Sequence, residues 1–389
     1  MPAARRRLVF MLGGLAAALV GVLLLGWLVN PFGVWPTRLI DRRYRSGEAS
    51  TCSPYQRERV TMPYRMLAGQ PTVLLLGSSR VQCGIAVPLD GADGFLNAAL
   101  RGASLPELTD LLELAARDPA LRRVIIGLDF YAFSAGFLAY QDPALPQRAR
   151  DPLAHVWRDA VGEVRDGLLT TDSLVESART LTRLARRAPK LPELHDAPWR
   201  PEEIRAGLTP ATGLAELADD ARRRGLAGIV AMYAGHRPAD AAVIERFRAA
   251  IAALRARRIE VTPLVVPHSA CDLAILRRLE LWAEFVAWRR GLVELLGGYW
   301  DFSVSPIAAG EERLFVDTTH MRPAAGHAVL RRVLGLDCEG CGELAASLAA
   351  SGRWLDARNV DAHLAADAAT LAWLPGMRCA QQAEALRLP

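Results

Sequence analysis

The chain has 389 residues, 51% hydrophobic and 23% charged, an ordinary globular composition with room for one large domain or two modest ones. The formal net charge is +5, but Arg5, Arg6 and Arg7 supply three of those charges, and the +2 left on the remainder gives no ground for nucleic-acid binding. Lys190 is the one lysine, an Arg/Ala/Leu bias that reads as a GC-rich genome rather than as function. Cys338 and Cys341 form a lone CxxC with no second pair, so neither a zinc site nor another metal is expected.

In chain order, residues 1–7 are a basic tail. Leu8 to Val29, "LVFMLGGLAAALVGVLLLGWLV", is 22 residues without a charge. At about 1.5 Å per residue this crosses a hydrocarbon core of about 30 Å. Its exit, Trp27-Leu28-Val29-Asn30-Pro31, suits signal cleavage poorly, so an uncleaved anchor over 8–29 is expected, with a buried structural helix as the alternative. The leading arginines favour a cytoplasmic N-terminus. Arg38, Arg42, Arg43 and Arg45 on the far side oppose that orientation, and Asp41 offsets only one of them. With no second apolar span, the expectation is a single-pass inner-membrane protein with its domain in the periplasm. Disulfides form there. Cys338–Cys341 is the closest pair and Cys52–Cys379 would join the chain ends, with free buried cysteines an equal alternative.

Residues 30–70 read as a polar connector, and 71–335 as an α/β domain. "TVLLL" (72–76) is a strand. "FLNAAL" (95–100) is short and apolar. Ser104 and Glu107 make a capping box for the next helix. "RRVIIGLDFYAF" (122–133) contains a buried strand. Residues 134 to about 225 break the rhythm and read as a helical insertion packed on one side, a candidate lid. "GLAGIVAMY" (225–233) reads as a strand or a buried turn. A helix over 238–258 opens with proline near its first turn. Then follow a strand (259–267), a helix (272–296), a short strand (298–304), and a loop leading into a helix (315–335). The tail, 336–389, is helical and alanine-rich. Alternating strands and amphipathic helices predict a parallel sheet with helices on both faces.

In such a sheet reactive groups gather at the carboxyl ends of the strands. Polar residues fall there in Gly77-Ser78-Ser79-Arg80, at Asn97 and Gly102, at Asp129, and in Asp317-Thr318-Thr319-His320. Ser79, His320 and Asp317 are the parts of a nucleophilic triad: a serine needs a base within reach, and the base needs an orienting carboxylate. A DxxH spacing lets one loop supply both. The backbone N–H groups of Ser79 and Gly102 are candidate oxyanion donors.

These segments carry a resemblance. "LLLGSSRVQ" is similar to the first block of the SGNH/GDSL superfamily of hydrolases and acyltransferases, with Ser79 at the nucleophile position. "LNAALRGAS" resembles the second block, whose glycine would be Gly102, and "DTTH" resembles the last. GSS in place of GDS, an N-terminal anchor and a late DxxH are close in plan to periplasmic proteins that O-acylate envelope polymers, such as the alginate O-acetylation and teichoic-acid D-alanyl transfer proteins. The resemblance spans most of residues 30–335, omitting the insertion. It implies an SGNH-like (flavodoxin-like) fold and a serine esterase or O-acyltransferase acting on an envelope glycan, with no cofactor. The implied partners are the inner membrane, an acyl donor and a membrane acyl-transporting protein. The third block departs from the pattern: Gly127-Leu128-Asp129 stands where an asparagine normally donates to the oxyanion. Arg80 and His268 are candidates to fill that place, and Arg80, Asn97, Asp129 and His268 are expected at the substrate.

Each residue has a structural alternative. Ser79 could cap a helix, Asp317 could cap the helix after its loop, and Asp129 and His268 could serve internal hydrogen bonds. Arg80 could be solvated, and His327 reads as a helix-surface residue. The missing asparagine leaves open a second class of function, a catalytically inactive binding or assembly module in envelope polysaccharide biogenesis.

Overall fold

A computed structural model describes residues 3–31, 58–85, 94–139, 142–159, 162, 170–187, 214, 219–305, 312–338, 343–370 and 374–386. In chain order the elements are α1 (Ala3–Val29), α2 (Glu58–Gly69), β1 (Val73–Leu76), α3 (Ser79–Gly84), β2 (Phe95–Asn97), α4 (Leu105–Ala115), β3 (Arg123–Gly127), α5 (Leu145–Arg150), α6 (Pro152–Arg158), α7 (Thr171–Ala185), α8 (Asp219–Tyr233), α9 (Ala241–Ala256), β4 (Glu260–Val265), α10 (Ala270–Arg278), α11 (Trp282–Leu296), β5 (Tyr299–Asp301), α12 (Pro323–Val333), α13 (Glu343–Ser351), β6 (Arg353–Leu355), α14 (Val360–Thr370) and α15 (Arg378–Glu384).

The strands form one sheet in the order β2-β1-β3-β4-β5-β6. The first five run parallel, with Val73 opposite both Phe95 and Arg123, and Arg123 opposite Glu260. Leu74, Leu75, Leu76, Val124, Ile125 and Ile126 are all fully buried, without alternation. A strand buried on successive residues is covered on both faces, as βαβ crossovers require. The 2-1-3-4-5 order is the flavodoxin-like arrangement, which opens a crevice where β1 and β3 diverge, beyond their carboxyl ends.

The capping box forms as expected: Glu107 N–H donates to Ser104 Oγ at 3.4 Å, and Ser104 N–H to Glu107 Oε2 at 3.1 Å. Several elements differ from the sequence reading. Residues 225–233 are helical, within α8, because Leu226, Ile229, Val230 and Tyr233 fall on one helical stripe and are buried. The helix expected over 272–296 is two helices, parted where Leu281 N–H turns back to Leu276 O and Glu280 takes a φ of 58°. Pro238 precedes α9 and bridges to Ser134 instead of opening the helix. Part of the connector is α2, whose Val60, Met62, Tyr64 and Met66 are buried. The tail adds β6, antiparallel to β5, and closes the sheet edge.

Cys379 pairs with Cys271, not with Cys52, across 108 residues and with Cα atoms 4.7 Å apart. This joins α15 to α10. Cys83 and Cys338 are also disulfide-bonded, and no cysteine among the described residues is free. The expected partners Cys52 and Cys341 lie outside the described residues, as does most of the connector. Of the insertion, α5, α6 and α7 are described and helical.

The helix from Arg5 to Val29 is long and apolar enough to cross a membrane, and its most apolar stretch is not buried against the rest of the chain. The alternative of a buried structural helix is thereby set aside. Its C-terminal end is covered, with Val22, Leu23 and Leu25 half-buried and Gly26 and Val29 buried.

Candidate active site

β1 ends at Leu76, and Gly77 takes a φ of +152°, a conformation open to glycine. A side chain there would meet Val81 and the Gly127 carbonyl. The chain then turns directly into α3. Ser78 is the N-cap, its Oγ accepting from Arg80 N–H at 3.1 Å. The capping role thus falls to Ser78, and the neighbouring Ser79 hydroxyl is left for another partner.

That partner is His320. Its Nε2 lies 2.9 Å from Ser79 Oγ, and its Nδ1 lies 2.7 Å from Asp317 Oδ2. The loop holding both is a tight turn. Phe315 bridges Met321, and Val316 N–H donates to the His320 carbonyl at 2.9 Å. Inside it, Asp317 Oδ1 accepts the N–H groups of Thr319 and His320, both at 2.8 Å, and the Thr319 hydroxyl at 3.2 Å. One aspartate oxygen therefore folds the turn while the other faces the imidazole, the usual use of an aspartate in a local turn extended to a second task. Asp317 does not cap α12, whose N-cap position is Arg322. Burial raises the Asp317 pKa, but the His320 charge and these hydrogen bonds outweigh it and hold the carboxyl at about 2. Asp317 and His320 each keep 20% side-chain exposure.

Beneath Ser79 lies a buried polar net. Arg80, 2% exposed, sets Nη2 2.6 Å from Asp272 Oδ2 and Nε 3.4 Å from Asp129 Oδ1. His268 Nδ1 lies 2.5 Å from the same Asp272 oxygen and 3.2 Å from Arg80 Nη1. Arg80 Nη2 also reaches the Tyr233 hydroxyl at 3.4 Å. Burial raises the Asp272 pKa, but Arg80 and His268 outweigh it and keep the carboxyl below its ordinary value. The net continues to the Asp317–His320 loop. Ser269 caps α10 through Asp272 N–H, and its hydroxyl donates to the Thr318 carbonyl.

The structure thus brings Ser79, His320 and Asp317 together. Of the four residues expected at the substrate, Arg80 reaches the cleft. Asn97, Asp129 and His268 are at most 2% exposed and do not line it, which gives them a supporting part instead. Asn97 donates to the Ile85 carbonyl at 3.2 Å and accepts from Ala99 N–H at 3.1 Å, tying β2 to the end of α3. Asp129 balances Arg80. Gly102 sits in the turn after β2 at a φ of 55°, half-buried and away from the cleft lining.

The cleft is a cavity of about 410 Å³ between the triad and α8, which presents Ala221, Gly225, Gly228 and Met232 to it. A side chain on Gly225 would strike Thr318, whereas Gly228 faces open space. Tyr131 also lines it. Sequence reasoning missed Asp272, Tyr233, Tyr131 and the α8 wall. The His268/Asp272 spacing of four was a readable signal, but the α8 wall was obscured by reading its apolar run as a strand or a buried turn.

A second cluster, Asp301, His363 and Asp367, has metal-ligand side chains within 4.8 Å of one another. The buried Arg289 guanidinium lies among them, 2.6 Å from Asp367 Oδ2 and also on Asp301. The positive charge there is that of Arg289, and the cluster fastens α14 to α11 and β5. Comparisons with family models, with curated proteins and with solved structures return no match to the chain.

Proposed function

We propose that the chain is a membrane-anchored serine O-acyltransferase or esterase of SGNH-like type, with its domain in the periplasm and an envelope glycan as acceptor. The observation that carries the chemistry is the unbroken relay from Asp317 Oδ2 through the His320 imidazole to Ser79 Oγ, at 2.7 and 2.9 Å. Those are the separations proton transfer needs.

Ser79 Oγ attacks the acyl carbonyl while His320 Nε2 takes the hydroxyl proton. Asp317 keeps the other ring nitrogen protonated and stabilises the imidazolium. The Ser79 amide receives the oxyanion, and Gly102, which the resemblance gave the same part, does not line the cleft. Collapse expels the leaving alcohol or thiol, which takes the proton from His320, and an acyl group remains on Ser79. A second hydroxyl, from water or from the glycan, is deprotonated by His320 and attacks the acyl carbon; collapse breaks the bond to Ser79 Oγ, which takes the proton back from His320, and the acyl group leaves on the acceptor. The anchor reading rests on the Arg5–Val29 helix, and the orientation on Arg5, Arg6 and Arg7. The acyl-transporting partner and the glycan rest on the motif resemblance.

The test is labelling of the detergent-solubilised full chain with a fluorophosphonate. Wild type is expected to label and Ser79→Ala to be inert. An unlabelled wild type, together with unchanged envelope acylation when Ser79 is removed, moves the reading to the inactive binding module.

A further inference from the structure

A serine nucleophile needs donors aimed at the oxygen on which charge develops, and main-chain amides alone are the minimum. The expected side-chain donor after β3 is missing, since Asp129 is ionisable and paired with Arg80. Arg80 has its guanidinium committed to Asp272, Asp129, His268 and Tyr233. Two residues beyond Asp129, however, the short helical turn Phe130–Phe133 sets Tyr131 in the lining of the cleft. Its phenol is 2% exposed, and it lines the same cavity as Ser79 and His320. This is the crevice between β1 and β3, where a sheet of this order places its ligand.

The local hydrogen bonds leave the phenol as a donor. Ser78 Oγ accepts from Arg80 N–H, and the Ser78 hydroxyl neighbours the Tyr131 oxygen on the side that favours donation to it. The Tyr131 hydroxyl is both acceptor and donor, so it can accept from Ser78 and donate into the cleft that it lines. Burial, and next the Asp129 carboxylate, push the phenol far above its ordinary pKa, so it keeps that proton throughout the working range. The ring is braced edge-on against Phe137 and Tyr233, with centroids at 4.7 and 6.5 Å. A braced neutral donor in a buried cleft is the kind of group that stabilises an oxyanion without reorganising.

We propose that the Tyr131 phenol is a catalytic residue of the acyl transfer, donating a hydrogen bond to the oxyanion formed when Ser79 attacks. The inference rests on the serine-enzyme reading above. No proton is transferred from Tyr131: the bond strengthens as the carbonyl becomes an alkoxide and relaxes when the carbonyl re-forms.

The experiment compares Tyr131→Phe with wild type, since the substitution keeps the ring and its packing. With p-nitrophenyl acetate, kcat should fall about 100-fold with KM within about threefold, and fluorophosphonate labelling should slow similarly. Independently of any variant, a structure of phosphonylated wild type should place the phosphoryl oxygen about 2.7–3.1 Å from Tyr131 Oη. Labelling of wild type and Tyr131→Phe at equal rates, or a phosphoryl oxygen turned away from Tyr131, overturns this inference and leaves the serine-enzyme reading standing. A wild type that neither labels nor turns over overturns both.

Discussion

His320 Nε2 and Ser79 Oγ lie 2.9 Å apart although 241 residues separate them. The contact is held from both sides: the Asp317 turn fixes the imidazole, and the Gly77–Ser78 turn fixes the serine. If these residues act as one unit, their removals should not add. Ser79→Ala and His320→Ala should each cost about 10⁴-fold or more in turnover, and the double variant little further. Asp317→Asn should cost somewhat less, because the nucleophile and base remain. Independent, multiplicative losses in a double-mutant cycle would contradict a triad.

Asp317 also gives a pH dependence with a definite sign. Its folded value of about 2 lies below the ordinary 3.8, so the fold favours the carboxylate. That contribution is complete above about pH 4 and is lost as pH falls toward 2. A shift of this size is worth about 2 kcal/mol. Urea denaturation should therefore show Asp317→Asn less stable than wild type at pH 5, with the gap narrowing steadily as pH falls toward 2.

The buried net under Ser79 should be a stability element. Removing Arg80 strands Asp272 and Asp129 without their cation, and a broken buried ion pair costs about 3–5 kcal/mol. Arg80→Met should lower the melting temperature sharply, whereas Arg224→Met, at an exposed pair with Asp220, should barely move it. Equal melting temperatures for the two variants would remove the net from the account of the site.

Gly326 of α12 packs directly on the main chain of Gly84, so that an added Cβ would collide with the Gly84 carbonyl. α12 follows the His320 loop and α3 begins at Ser79, so this contact sets the spacing of His320 and Ser79. Gly326→Ala should destabilise by about 1–3 kcal/mol. It should also reduce turnover more than Gly228→Ala, which adds its methyl to open space.

The Cys271–Cys379 bond closes a loop of 108 residues. Cys379→Ser should cost about 2–5 kcal/mol and expose α15 to proteolysis, measured by melting and by limited trypsin digestion. Unchanged digestion would mean that packing alone retains α15.

What the sequence determined by itself is local. The stretches Leu74–Leu76, Val124–Ile126 and Leu264–Val266 are apolar at every position because these strands are covered on both faces, and such stretches announce a parallel sheet without a structure. The Ser104/Glu107 box and the DTTH turn are legible because their hydrogen bonds span three residues. The tertiary structure decided what depends on partners distant in the chain. Arg80 turns inward because Asp272 and Asp129 are there to receive it. Cys379 meets Cys271 because α15 packs on α10. The run 225–233 reads as a strand or a buried turn until the burial of Leu226, Ile229, Val230 and Tyr233 on one stripe shows a helix, whose Gly225, Gly228 and Met232 then wall the cleft. Short-range hydrogen bonds and periodicity are written in adjacent residues, but ion pairs, disulfides and cavities are properties of elements brought together only by folding.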